Sequence, residues 1–241
     1  MITFRAPELA RATRAGQFVN ILPKHGANDP LLRRPFSVYQ IAGDAVSVII
    51  QVTGRGTSLI AGTRVGEVLD VLGPLGNPWK LEGDYATAVL VIGGVGVASM
   101  PLLTKALIAA NKNVLTYYGA RTKSLFAFEG LVNLQLATDD GSEGSRGTNI
   151  ALLEKALERN AIEMPKMFVC GPTGMMRAAT SLAERFAVPC ELSLETEMAC
   201  GVGICQGCPV PTDERTLAET SKRFRLVCTD GPSFMAETIQ L

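Results

Sequence analysis

Thr87-Ala-Val-Leu-Val-Ile-Gly-Gly-Val-Gly-Val-Ala-Ser-Met-Pro101 decides the fold. Residues 87–92 are β-branched or apolar and read as a buried strand, followed by a glycine turn and a helix that opens near Pro101. Glycines at such a turn let backbone approach a pyrophosphate, and a helix N-terminus favours its negative charge. Gly94-x-Gly96-x-x-Ser99 only approximates G-x-G-x-x-G, and no acidic ribose partner stands at the usual distance. Taken alone, the turn also fits a tight strand–helix junction without a ligand. The surrounding stretch, 86–110, carries one charge, Lys105, and could mimic a membrane span. Gly93, Gly94, Gly96 and Pro101 interrupt it, and lipid offers no water to satisfy broken backbone bonds.

Toward the C-terminus the same alternation repeats. Strands are expected at 113–118, 134–138 and 166–170, with helices at 101–110, 150–159 and 173–186. Strands alternating with helices predict a parallel sheet covered by helices. Cys170-Gly171-Pro172 ends one of these strands and turns into a helix, at the sheet edge where ligands of open α/β sheets bind. Cys170 fits a place beside a ligand or, like Cys190, a small buried hydrophobe. Met175, Met176 and Met198 read as core packing. Arg121, after the second strand, fits a nucleotide 2′-phosphate or an ordinary surface charge.

Toward the N-terminus the pattern changes to short β runs at 17–22, 36–41 and 45–52, bounded by Gly16, Gly43-Asp44 and Gly54. Gly-Pro-Leu-Gly at 73–76 punctuates the end of this region. Closely spaced short strands predict a small barrel. Arg33-Arg34-Pro35-Phe36-Ser37 sets cations and a hydroxyl before a strand; the planar guanidinium fork suits phosphate. Gly54-Arg-Gly-Thr57 is a second loop whose amides and hydroxyl could hold the same ligand. Each also fits an ordinary surface arginine or loop glycine. His25, the only histidine, reads as a surface loop residue.

The last segment carries the most specific chemistry. Glu197-Met-Ala-Cys-Gly-Val-Gly-Ile-Cys-Gln-Gly-Cys208 holds Cys200, Cys205 and Cys208, and Cys228 follows after 19 residues. C-x4-C-x2-C with a remote fourth cysteine is the plant-type [2Fe-2S] spacing, and soft thiolates suit its iron. Gly201, Gly203 and Gly207 let the chain wrap closely and aim N–H groups at sulfur. Four cysteines can also hold structural zinc, though zinc usually takes two short C-x2-4-C knuckles. Disulfides are disfavoured, because no secretory signal heads the chain, which reads as cytoplasmic. The polar stretch 211–223 is expected to form a hairpin or loop outside the cysteines.

Composition narrows the partners. Hydrophobic residues at 47% against 19% charged give a sizeable core and exclude a disordered chain. Lys+Arg and Asp+Glu both number 23, so zero net charge gives no basis for a nucleic-acid or anionic-membrane partner.

In order along the chain, Arg-Pro-Phe-Ser, Gly-Arg-Gly-Thr, Gly-Pro-Leu-Gly-Asn, Gly-Gly-Val-Gly, Thr-Asp-Asp-Gly, Cys-Gly-Pro and the cysteine bend resemble one family. It is the electron-transfer subunit of NAD-dependent (class 1B) dihydroorotate dehydrogenase, within the ferredoxin–NADP reductase superfamily. The resemblance covers nearly the whole chain. It implies an α/β plus β architecture: an N-terminal antiparallel flavin-binding β barrel over 1–82, a Rossmann-like parallel α/β nicotinamide domain over 83–190, and a small C-terminal [2Fe-2S] module over 191–241. It implies that Arg34, Pro35, Phe36 and Ser37 bind FAD, that Ile49, Ile50 and Gln51 lie along the flavin, and that Gly56 and Thr57 complete its phosphate side. Gly93, Gly94, Gly96, Cys170, Gly171 and Pro172 would face NAD(H). Cys200, Cys205, Cys208 and Cys228 would ligate the cluster. No side chain is required as acid or base.

The same resemblance implies a hetero-oligomer, a heterotetramer in pyrimidine biosynthesis, with an FMN-containing catalytic subunit docked over the cluster module. Electrons would run from dihydroorotate through that subunit, the cluster and FAD to NAD⁺. Three departures stand out. The family usually has an aromatic residue and an arginine where Ile50 and Gln51 stand. Met1-Ile-Thr-Phe matches the family's second strand, so the first barrel strand is expected to be missing or the start assigned to the chain to be wrong. The interval between the third and fourth cysteines is somewhat long. The small subunit of an NADH-dependent ferredoxin:NADP oxidoreductase or a sulfide dehydrogenase subunit would share most of these motifs. A zinc-stabilised interaction module without redox role is an alternative of another class.

Overall fold

The computed structural model describes residues 1–23 and 29–241, the side chain of Glu219 excepted. His25 lies outside the described residues. The N-terminal region is an antiparallel sheet of β1 (Ile2–Arg5), β2 (Phe18–Ile21), β3 (Arg34–Ala42), β4 (Ala45–Val48) and β5 (Val71–Leu75), with α1 (Pro7–Ala12) and α2 (Arg55–Ala61). The strand order is β1-β4-β3-β2-β5. Among the described residues β1 and β5 are free ends, where a closed barrel would have none. Gly43, at φ +57°, makes the tight β3–β4 turn that its lack of Cβ permits. Val19, Ile21, Val38, Val46, Val48 and Ile60 form the core of this sheet.

One detail departs from the expected strands. The run 45–52 leaves the ladder after Val48. Val48, opposite Ile2 of β1 and Val38 of β3, is the last residue of this run in the ladder. The Gly-Pro-Leu-Gly segment closes the β region, its first three residues lying inside β5, the last strand of this sheet, paired with β2.

The second unit is built on β6 (Thr87–Gly93), α3 (Met100–Ala109), β7 (Asn113–Ala120), β8 (Leu134–Thr138), β9 (Ser145–Arg146), α4 (Asn149–Glu158), β10 (Pro165–Cys170), α5 (Thr173–Phe186) and β11 (Cys190–Ser193). Every residue of β6 is buried. Alternation along the strand sends Val89 and Val91 to one core and Ala88, Leu90 and Ile92 to the other, so helices cover both faces. The chain runs β6, β7, β8, β9 outward, then crosses back to place β10 on the other side of β6. The strand order therefore switches direction between β6 and β10, where open α/β sheets bind ligands.

The C-terminal segment contributes β12 (Pro209–Pro211), α6 (Glu214–Thr220), β13 (Phe224–Leu226) and β14 (Ser233–Met235). β12 and β13 form the expected hairpin, but a helix fills its tip. The Asp213 carboxylate caps that helix by accepting the Arg215 N–H at 2.9 Å. β14 joins the large sheet antiparallel to β11. Among the described residues no helix is long and apolar enough to cross a membrane.

The segment that leads into the second unit packs on a buried charge pair. Lys166 on β10 lies 3.4 Å from Glu191 on β11, with side-chain exposures of 5% and 1%. Glu191 also accepts the Lys80 N–H from the linking segment, and Lys166 donates to the Lys80 carbonyl. Burial pushes the Lys166 pKa down and the Glu191 pKa up, so each needs the other to stay charged. Removing one partner strands a buried charge. Glu191→Leu should cost about 3–5 kcal/mol, read from urea unfolding midpoints. Lys166→Met with Glu191→Leu should recover most of that loss. Additive losses in the double variant would contradict this account.

Candidate functional site

The cysteine bend turns on Gly201 at φ +73° and Gly203 at φ +81°, conformations that disfavour a side chain. The turn aims amides at sulfur. The Cys205 and Val202 N–H groups each donate to Cys200 Sγ at 3.4 Å, and the Gly207 N–H donates to Cys205 Sγ at 3.4 Å. These donors, Cys205 N–H first, bring the Cys200 thiol down to about 6. The other two thiols are buried, with Cys208 Sγ 3.2 Å from Cys228 Sγ. Burial first, then the Cys208 thiol, pushes Cys228 up to about 11. All four are free thiols and fall into two pairs: Cys200 with Cys205 on the open limb, and Cys208 with Cys228 beneath.

Among the described residues, no three His, Cys, Asp or Glu side chains are grouped so as to hold one metal ion. A single tetrahedral zinc draws four thiolates onto one point. Paired thiolates with N–H donors at sulfur instead suit a cluster of two irons.

A cleft of 680 Å³ adjoins this bend. Arg34, Pro35, Phe36 and Ser37 form one wall, and the chain from Glu195 to Met198 forms the other. Ile49 and Gln51, released from the β4 ladder, line it as well. Gly56 and Thr57 line neither this cleft nor its neighbour. A Cβ at Gly56 would lie 2.9 Å from Arg34 Nε, so its bareness lets the guanidinium lie across α2. The Thr57 hydroxyl accepts the Gly54 N–H at 3.1 Å and donates to the Gly54 carbonyl, which shapes the turn.

A larger cleft of 1010 Å³ opens at the switch point between β6 and β10. Gly93, Gly94, Gly96, Gly171 and Pro172 line it, with Ile50 at its barrel side. The glycines serve two purposes. Gly94, at φ +52°, faces open space and supplies the turn. Gly93, Gly96 and Gly171 permit close approach: a Cβ at Gly96 would lie 2.3 Å from the Cys170 carbonyl oxygen. Cys170 itself is buried behind the cleft. Burial, then the Glu195 charge, pushes its thiol up to about 12, against hydrogen bonds with Ser99 and Ser193.

Arg121 lines the larger cleft, opposite in charge to Asp139 on the same lining. Two further residues escaped the sequence reading. Asn149 Nδ2 donates to the Ile92 and Tyr117 carbonyls at 2.8 and 3.1 Å, which ties the ends of β6 and β7 together under the cleft. Its signal was the capping Thr148 before it, whose hydroxyl accepts the Ala151 N–H. Glu195 lines both clefts, as do Ile49, Gln51 and Val95. It faces the open clefts, yet the apolar walls desolvate its carboxyl and push its pKa up. Its signal was Glu195-x-Glu197 just ahead of the cysteine bend.

Residues 195–240 match the family described as the iron-sulfur cluster binding domain of dihydroorotate dehydrogenase B. The chain is 38% identical over 237 residues to the NAD(+)-dependent dihydroorotate dehydrogenase B electron transfer subunit of Bacillus caldolyticus, covering 94% of this chain and 86% of that one. The corresponding subunit of Enterococcus faecalis is 37% identical, covering 95% and 88%. A solved NADH-dependent reduced ferredoxin-NADP oxidoreductase chain superposes with TM-score 0.85 at 30% identity, over 99% of this chain and 83% of that one. A ferredoxin NADP+ reductase from Neisseria gonorrhoeae, at 18% identity and TM-score 0.59, covers 76% and 83% and shares the fold.

Close approach at Gly96 carries a test. Gly96→Ala drives a Cβ into backbone and should cost about 1–3 kcal/mol of stability, with weaker nicotinamide binding. Gly174→Ala, in α5 with nothing within 4 Å of its Cβ, should hold or raise stability. Thermal melts and nicotinamide titration check both. Equal melts for the two variants would contradict the packing account.

Proposed function

Because this chain belongs to the family of electron transfer subunits of NAD(+)-dependent dihydroorotate dehydrogenase B, we propose that it carries electrons between a dihydroorotate-oxidising partner subunit and NAD⁺. When bound, FAD exchanges electrons in pairs with nicotinamide and singly with a [2Fe-2S] cluster, which is why both groups are needed. The observation that carries the reading is contiguity. The two clefts share Ile49, Gln51, Val95 and Glu195, and the smaller cleft runs on to Glu197 and Met198 at the mouth of the cysteine bend.

In this reading Arg34, Pro35, Phe36 and Ser37 hold FAD along the smaller cleft. The Arg34 guanidinium, laid over Gly56, offers charge to its phosphates. Ile49 and Gln51 stand at the junction of the two clefts and would line the place where flavin and nicotinamide meet. Gly94 opens the larger cleft to a pyrophosphate, while Gly93, Gly96, Gly171 and Pro172 shape its floor. Cys170 backs that floor as a neutral thiol. Cys200, Cys205, Cys208 and Cys228 ligate the cluster. No side chain is assigned as catalytic acid or base. The functional units run over 1–82, 83–190 and 191–241. The partner is the dihydroorotate-oxidising subunit, in a hetero-oligomer. A cytoplasmic setting fits thiols that must stay reduced for iron.

A second reading has one observation in its favour, the superposition on the ferredoxin-NADP oxidoreductase chain over 99% of this protein. The partner separates the two: a dihydroorotate-oxidising subunit against one that serves ferredoxin.

Cys205→Ser tests the assignment. In the complex, NADH should still bleach flavin absorption at the parent rate, while dihydroorotate-driven reduction of NAD⁺ stops. Normal turnover by the variant would remove Cys205 from the ligand set. A colourless, zinc-containing parent protein would defeat the redox reading altogether.

A further inference from the structure

Both cysteine-bearing loops are gripped by amides from the N-terminal unit, one on its sheet and one just past it. Asn20, on β2, donates from Nδ2 to the Cys200 carbonyl at 3.3 Å. Asn77, just past β5, donates from Nδ2 to the Thr229 and Asp230 carbonyls, each at 3.0 Å. The Asn77 N–H adds a bond to the Gly231 carbonyl at 2.6 Å. The first contact holds the first cysteine itself, and the second holds the residues that follow Cys228. Among the described residues, no other side chain from outside the module bonds to 200–208 or 228–232.

The fit around these amides is close. A Cβ at Gly201 would lie 2.1 Å from Asn20 Nδ2, and one at Gly76 would lie 2.5 Å from Pro232 Cδ. Gln17 steadies the second contact by donating to the Gly76 carbonyl at 2.8 Å. Asn20 is 1% exposed, and its Oδ1 has no partner. A buried, half-satisfied amide costs stability, so its place in the core is not explained by folding alone.

Position supplies the explanation. Asn20 pairs across the ladder with Pro35, inside the Arg34–Ser37 wall of the smaller cleft, and Phe18 on the same strand lines that cleft. One strand therefore fixes both the flavin wall and the first cysteine. The far end of the module is sewn to the other sheet through β14 and β11, which leaves the cysteine loops themselves to the N-terminal sheet. Electron tunnelling weakens steeply with separation, so this distance is worth holding rigid.

We propose that Asn20 and Asn77 form a two-point amide clamp that sets the spacing between the flavin and cluster sites. They are positioning residues: neither side-chain amide bonds to a ligand sulfur or to the side chains of the flavin wall. The proposal rests on the cofactor assignment above, and its test keeps the two separable.

The test uses the complete complex with Asn20→Leu, Asn77→Ala and the double variant. Asn20→Leu keeps the volume and removes the unpaired acceptor. Asn77 is exposed, so Asn77→Ala is expected to fold even where a core change at Asn20 does not. Stopped-flow absorption and electron spin resonance follow flavin and cluster separately. Iron, sulfide and FAD contents and flavin reduction by NADH should match the parent. Cluster reduction should slow about tenfold in each single variant and further in the double. Amide hydrogen exchange should rise at 200–207 and 228–231 while β3 is unchanged, and the melting temperature of Asn20→Leu should not fall.

Parent-rate cluster reduction in the double variant overturns the clamp. Iron loss with FAD retained also overturns it, since the asparagines would then hold the cluster rather than its spacing. If the parent itself lacks iron, the cofactor assignment falls. The hydrogen-exchange arm still decides the clamp, because unchanged exchange in the double variant refutes it.

Discussion

Four thiols drawn from two separate chain segments have to meet, and the rest of the C-terminal architecture follows from that requirement. Cys200, Cys205 and Cys208 come from one bend, and Cys228 returns after the β12–β13 hairpin. The hairpin makes this return short, since the Val227 N–H bonds to the Cys208 carbonyl at 3.0 Å and sets the two buried sulfurs side by side. The environments of the pairs differ. Backbone N–H groups favour thiolate at Cys200, whereas burial favours the neutral thiol at Cys228. Metal binding must deprotonate both, so iron uptake draws a proton from Cys228 more than from Cys200.

The three sites form a line because each lies at a place where regular structure ends. The larger cleft sits where strand order reverses between β6 and β10. The smaller cleft sits where the β4 ladder ends and leaves Ile49 and Gln51 outside it. The cysteine bend follows directly where β11 ends, with Glu195 at the common corner. Backbone freed from ladder bonds is what a ligand-facing wall is made of.

Much of this was legible in residue patterns. The run 87–92 followed by glycines pointed to the parallel sheet, because a strand buried on both faces has to be apolar throughout. Cysteine spacing pointed to the cluster, because few other ligands demand that order of sulfurs. The end of β4 was not legible: Ile49 and Ile50 look like strand residues, and only the register of β1 and β3 reveals that pairing stops. Helix α6 was hidden for a related reason, since seven polar-rich residues form a helix there under an Asp213 cap and tertiary support. The two clamping asparagines were also invisible. Their partners are carbonyls 180 and 152 residues away, and asparagine in a strand or loop carries no local signature of such a bond.

Everything rests on the four thiols holding two irons beside a flavin site. Metal and acid-labile sulfide analysis of the anaerobically purified protein tests this most directly. The account predicts two irons and two sulfides per chain. One zinc per chain without sulfide would contradict it.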